Sequence, residues 1–271
     1  MPRKAQGQSE KAVGFKPFTD VRFMRVRIEG TDPLIVHAWS EKAVMEILGK
    51  QMKVPKGAKE ERNPEMDFEH GKYYDHDGCE AFLAVAVKKA MVTAVTSVGE
   101  LTKVSMRQAF FTWGVHDKER ARILDSDGKA AAAQMRADMV RLGGPSNSAD
   151  IRFRPDYQTW MADVIIEYNA LVVSREQIIN LLGLAGYGVG IFEWRPERNG
   201  TYGRFTVTQV EDLAERPVWK RPTSYLRKGE MNIPAILAAL RAKKSVDGKE
   251  VVKRGKAKAK VGADAAEAAS E

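Results

Sequence analysis

The chain has 271 residues, 44% of them hydrophobic and 30% charged, with a formal net charge of +8. This is the composition of a globular protein long enough to bury a sizeable core; there is no run of 18 apolar residues to span a membrane, and the polar, basic start from Met1 to Lys16 argues against a secretory signal. One cysteine, Cys79, excludes an internal disulfide and a multi-cysteine zinc site, so a reducing cytoplasm is the expected compartment. The basic excess sits at the ends. Residues 1–16 hold four lysines and arginines against one glutamate, and residues 241–271 hold nine against five acids, which leaves the body, 17–240, at +1. A cationic tail binds polyanions with little sequence preference and strong salt dependence; it is equally a common solubility feature.

In chain order, residues 1–17 predict a flexible basic arm. Residues 18–30 read as a strand with Val21, Phe23, Arg25 and Arg27 on one face and Arg22, Met24, Val26 and Ile28 on the other. After a turn at Thr31–Leu34, Ser40 caps a helix over Glu41–Gln51. Lys53 to Asp67, dense in charge and broken by Pro55, Gly57 and Pro64, predicts a long exposed loop. Alanine and valine content predicts a helix over Glu80–Val95, alternation a strand over 104–115, and an alanine-rich stretch a helix over Lys129–Leu142. An extended segment at Ile151–Pro155 precedes the clearest strand, Met161–Val172. Ser174 and Gln177 form a capping box for a helix to about Ala185. Strands near Ile191–Trp194 and Tyr202–Val210, an irregular stretch over Asp212–Gly229 and a short helix over Ile233–Lys243 follow. The expected organisation is one α+β domain, 18–240, with a loop insertion at 53–79 and a disordered Lys/Ala-rich tail, 241–271; the order of elements suits a ferredoxin-like antiparallel sheet with helices on one face.

The segment with the most to say is Gly186-Tyr-Gly-Val-Gly-Ile-Phe-Glu-Trp-Arg-Pro-Glu-Arg-Asn-Gly-Thr-Tyr-Gly-Arg-Phe205. Three glycines at alternate positions exceed what one helix cap needs, and point to close approach of a backbone or a ligand. It is no dinucleotide fingerprint, because it leaves a helix and enters a strand. One reading has the main-chain amides meeting phosphates, with charge from Arg195, Arg198 and Arg204 and base stacking on Tyr187, Trp194 and Tyr202. The other is a helix cap followed by a tight hairpin.

Helix, glycine-rich loop, strand, basic turn and Gly203-Arg-Phe205 resemble the C-terminal motif of the RAMP superfamily, the RNA-binding subunits of CRISPR complexes. The matched positions are Gly186, Gly188 and Gly190 before Phe192, then Gly200, Gly203, Arg204 and Phe205, within residues 174–210. Pro33-Leu through His37-Ala-Trp-Ser40, with Gly190-x-x-Glu-Trp-Arg-Pro-Glu197, also looks like proteins carried by tailed phages. The resemblance implies a ferredoxin-like (RRM-like) fold that binds RNA or single-stranded DNA across its sheet and glycine loop, self-associating along the strand, without catalysis in most members. It departs from the family in a near-neutral body and in Glu193 and Glu197, which face a phosphate badly.

The candidate binding residues are therefore Arg25, Arg27, Gly186, Gly188, Gly190, Trp194, Arg195, Arg198, Tyr202 and Arg204. Arg22, Arg25 and Arg27 read equally as a charged, solvated edge strand. His37 is a weak catalytic candidate, because a subset of RAMP proteins cleave RNA with a histidine near that place and no second acid–base residue is evident. His70, Asp75, His76, Asp77 and Cys79 lie close together without a zinc spacing, and read as a polar turn. No metal or cofactor is expected. The rival functions are a phage structural or assembly protein and a RAMP-type endoribonuclease using His37.

Overall fold

The computed structural model describes residues 19–55, 61–99, 102–141, 148–219 and 227–244. The expected arm, 1–17, and the tail from Ser245 lie outside them. In chain order the elements are β1 (Val21–Gly30), β2 (Leu34–Ile35), α1 (Glu41–Gln51), α2 (Pro64–His70), β3 (Tyr73–Tyr74), β4 (Glu80–Leu83), α3 (Val85–Ala94), α4 (Lys103–Ala109), β5 (Phe110–Gly114), β6 (Arg120–Arg122), β7 (Gln134–Arg141), β8 (Ala149–Tyr157), β9 (Met161–Asn169), α5 (Arg175–Leu184) and β10 (Phe205–Leu213), then α6 over 233–244.

The main sheet has the order β10-β1-β9-β5 and is antiparallel throughout. With α3 between β1 and β5, and α5 between β9 and β10, this is the β-α-β-β-α-β arrangement expected: an α+β, ferredoxin-like fold. Strand alternation explains its core. Met24, Val26 and Ile28 of β1 pair with Ile166, Val164 and Ala162 of β9, and all six are buried with Val87 and Met91 of α3 and Ile178 and Leu181 of α5. Each large apolar side chain buried in this way is worth roughly 1.5–3 kcal/mol.

Two excursions decorate that core, one between β1 and α3 and one between β5 and β9. Together they build the small sheets β2-β8-β7 and β3-β4-β6. The insertion expected at 53–79 is thus the middle of a longer excursion, and its charged loop ends in α2, capped by the Asn63 side chain on the Met66 amide.

Five local expectations are corrected. Glu80–Leu83 is a strand, because it pairs with β3 and β6, and the helix begins only at Val85. Residues 103–109 are helical: the Thr102 side chain caps the Ser105 amide, and Met106 and Ala109 bury at helical spacing. The alanine-rich helix expected over 129–142 is instead β7, paired residue by residue with β8. Residues 191–194 form no strand; Phe192 and Trp194 have φ of 62° and 51° there. The helix expected to stop at Lys243 reaches residue 244, inside the stretch expected to be disordered.

Candidate nucleic-acid interface

The Ser174–Gln177 capping box starts α5 as expected, and the helix runs on through a π-helical turn, Ala185–Val189, that holds Gly186 and Gly188. The glycines answer to the protein's own backbone. A Cβ on Gly186 would lie 2.1 Å from the Phe205 carbonyl oxygen, and Gly190 has φ of 70°. Nothing approaches Gly188, and the neighbouring Tyr187 is 73% exposed. The amide cradle expected for phosphates is closed at the exit of this bend, because the Gly190 amide donates to Ala185 O and the Ile191 amide to Gly203 O. Of the other reading, the helix cap is present, at Gly190, but no hairpin follows it, because residues 191–194 form no strand.

Beyond the bend the chain is tied to the first excursion. The Glu193 amide donates to Ile35 O and the Gly203 amide to Pro33 O, while the Tyr202 amide closes the loop on Trp194 O. This lays residues 191–203 along β2 and brings Trp194 and Tyr202 together, 6.0 Å between ring centroids, on the polar side of the β2-β8-β7 sheet. That side is built by alternation: Arg136 and Asp138 on β7 stand across from Arg154 and Arg152 on β8, with Asp156 one step further. The Arg136 guanidinium lies 4.9 Å from the Tyr202 ring centre and 5.6 Å from that of Trp194; Arg154 lies 5.9 Å from Trp194. The hydrogen bond that Arg136 Nε donates to Asp138 holds Arg136 strongly in its charged form, since it outweighs burial.

This cluster is buried and incompletely bonded. Asp138, Arg154 and Asp156 are at most 5% exposed. Among the described residues, five of the six buried side-chain nitrogen and oxygen atoms without a hydrogen bond are His37 Nδ1, Asp138 Oδ2, Arg154 Nε, Arg154 Nη1 and Asp156 Oδ1. Each such group costs about 1–3 kcal/mol if nothing satisfies it, so the concentration needs a reason. His37 lies beside Arg154, because the Val36 amide donates to Pro155 O. Burial first, and then the Arg154 charge, push its pKa below the ordinary histidine value, which keeps it neutral near pH 7.

The remaining candidates fall elsewhere. Arg25 and Arg27 sit on the sheet face away from α3 and α5, and both are bound by Asp163; Arg27 donates to it at 2.7 and 2.9 Å. Burial alone would raise the Asp163 carboxyl, but the Arg27 and Arg25 hydrogen bonds win and hold it below its usual value. On the same face Phe111 and Trp113 are stacked at 6.0 Å, with Lys88 Nζ 3.8 Å over Phe111 and Lys118 Nζ 4.6 Å over Trp113. Residues 214–219 carry the chain from β10 to this far edge, where Trp219 packs on Trp113 and donates to Gly114 O. Arg195 is committed to Glu197 and to Phe192 O, and Arg204 to Asp32 and to Tyr187 O. Arg198 is exposed and makes no side-chain ion pair among the described residues. Asp75, from the possible metal cluster, accepts from the Asp77 and Cys79 amides and pairs with Arg122, so it shapes a turn. No group of three or more His, Cys, Asp or Glu among the described residues can hold a metal ion, and no helix there is long and apolar enough to cross a membrane.

Arg136, Asp138, Arg154 and Asp156 were not among the residues expected from sequence. Their signal was the i, i+2 spacing of charge in Arg136-x-Asp138 and Arg152-x-Arg154-x-Asp156, the strand period, hidden by the alanines before it. No family model matches this chain, and no curated protein matches it. Among solved structures it is similar to the crystal structure of Cmr6 from Pyrococcus furiosus, at 10% identity and a TM-score of 0.37, over 69% of this chain and 98% of that one. So distant a likeness adds nothing to the topology described above.

Proposed function

We propose that this protein binds single-stranded nucleic acid, RNA or DNA, without catalysing a reaction on it. One observation carries the reading: Trp194, 38% exposed, is presented from a left-handed backbone against Tyr202, with two guanidiniums beneath the pair. A bulky residue at positive φ is a genuine outlier, and such strain is retained where the surrounding structure imposes it. An exposed indole flanked by cations is a surface on which any base can stack. Arg198, uncommitted at the rim, supplies charge to the sugar–phosphate chain, and the Phe111–Trp113 pair with Lys88 and Lys118 offers a second stacking surface on the main sheet. The resemblance of residues 174–210 to RAMP proteins supports the same reading.

The test is a fluorescence-anisotropy titration of labelled single strands at low salt with the full chain and with Trp194→Ala. Stacking on an aromatic contributes about 1–3 kcal/mol per base, so the substitution weakens binding about 5- to 150-fold. Equal binding by the two proteins refutes the assignment to Trp194. Histidine-dependent cleavage is the weaker alternative, because burial pushes the His37 pKa below its ordinary value and so disfavours the protonated form that a general acid needs.

A second reading, assembly, has its own observation. On the β7–β8 hairpin the face opposite the charged cluster carries Met135, Met139 and Ile151, which are 45%, 67% and 51% exposed. An apolar stripe of this kind suits contact with another subunit. Light scattering distinguishes the two: a defined oligomer without nucleic acid favours assembly, and a monomer that multimerises on a strand favours nucleic-acid binding.

A further inference from the structure

We infer that the buried cluster behind Trp194 is a base-reading pocket, selective for guanine, within the strand-binding site proposed above and resting on that proposal. The cluster is not built for phosphate. Two guanidiniums, Arg136 and Arg154, face two carboxylates, Asp138 and Asp156, and a third carboxylate, Glu193, stands at the mouth 3.8 Å from Arg154 Nη2. With Arg152 across from Asp138 the cluster sums to three guanidiniums against three carboxylates; charge that cancels gives a polyanion little attraction, but suits a neutral, planar group that both donates and accepts hydrogen bonds.

The atoms left unbonded define that group. Asp138 Oδ2 and Asp156 Oδ1 accept; Arg154 Nε and Nη1 donate. Arg154 Nη1 and Asp138 Oδ2 are 3.5 Å apart, an ion pair without a hydrogen bond, so each retains capacity for another partner. Guanine presents two N–H donors, at N1 and N2, next to acceptors at O6 and N7. Carboxylates take the first pair and a guanidinium takes the second. Adenine and cytosine each present one exocyclic amine beside ring acceptors and leave a carboxylate unmatched, and uracil presents a single N–H. An unmatched buried carboxylate is the strongest source of discrimination available to such a site. The roof has the matching shape: Trp194 and Tyr202 are planar and already stack over Arg136 and Arg154. A base enters by displacing the Trp194 indole outwards and then stacks against it, as bases read on their Watson–Crick edge do elsewhere.

The experiment uses the full chain and labelled oligouridine strands that carry a single central guanosine, inosine or adenosine. Inosine lacks the N2 amine and so removes one donor from the ligand without touching the protein. The guanosine strand is expected to bind about tenfold more tightly than the adenosine strand, with inosine in between, and the preference is expected to vanish in Asp156→Asn. If Asp156→Asn does not fold, the inosine strand on the unmodified protein carries the same comparison. Equal affinity for the three strands, or preference for adenosine, overturns the guanine pocket while strand binding stands. No binding of any strand at low salt overturns both.

Discussion

If Trp194 is held at φ of 51° so that its indole can be displayed, two substitutions at that position separate backbone from side chain. Trp194→Ala and Trp194→Gly both delete the indole and its contacts with Tyr202, Arg136 and Arg154, so those losses cancel in the comparison. Only the backbone term differs. A non-glycine residue in the left-handed region costs about 1–2 kcal/mol, and glycine escapes that cost. Glycine in turn gives up about 0.5–1 kcal/mol in unfolded-state entropy relative to alanine. The strain term is the larger, and Trp194→Gly is expected to be about 0.5–1 kcal/mol more stable than Trp194→Ala. For a domain of this size that is about 1–4 °C in melting temperature, within reach of thermal or urea unfolding followed by circular dichroism. Both variants lose strand affinity to a similar degree. If the alanine variant is equally stable or more stable, residue 194 does not occupy the left-handed region in solution, and the indole is not displayed by a strained backbone.

Other outcomes can be checked alongside it. Gly186→Ala sets a methyl group 2.1 Å from the Phe205 carbonyl oxygen and is expected to destabilise by at least about 1–3 kcal/mol, whereas Gly188→Ala, with nothing near it, stays within about 0.5 kcal/mol of wild type; equal urea midpoints for the two would refute the close-approach explanation. Asp163→Asn leaves Arg25 and Arg27 without their shared carboxylate and is expected to cost about 1–3 kcal/mol at neutral pH, less than a fully buried pair because both arginines reach solvent. Its carboxyl is held below the ordinary value, so its contribution is complete above about pH 4 and fades as pH falls through the lower folded-state value; a gap between wild type and Asp163→Asn that widens on acidification would contradict the pairing. Labelled hairpin RNA incubated with wild type and with His37→Ala is expected to stay intact in both, and cleavage by the wild type alone would revive the endoribonuclease reading.

Much of the central sheet was legible. Alternation in Arg22–Ile28 and Ala162–Tyr168 marked β1 and β9, and Ser174 with Gln177 marked the start of α5, because these signals lie between residues a few positions apart. The second half of the candidate site was not. Residues 134–141 are rich in residues that favour helices, and they become a strand only because β8, about fifteen residues on, offers a hydrogen-bonding partner. With that pairing unseen, Arg136 and Asp138 could not be placed beside Arg154 and Asp156, and the charged cluster beneath Trp194 stayed hidden.

The glycines of 186–203 mark the same division. Their density alone determined that something passes close to the backbone, because a missing Cβ is a local, steric fact. What passes is decided in three dimensions: the Phe205 carbonyl at Gly186 and the Ile191 carbonyl at Gly203. Composition and spacing determined the α+β class, the capped helices and the aromatic and basic content of the loop. Tertiary structure decided which charges face one another, which arginines are already neutralised by Asp163, Glu197 and Asp32, and which polar atoms remain unbonded, because those depend on strand pairings that close across long stretches of chain.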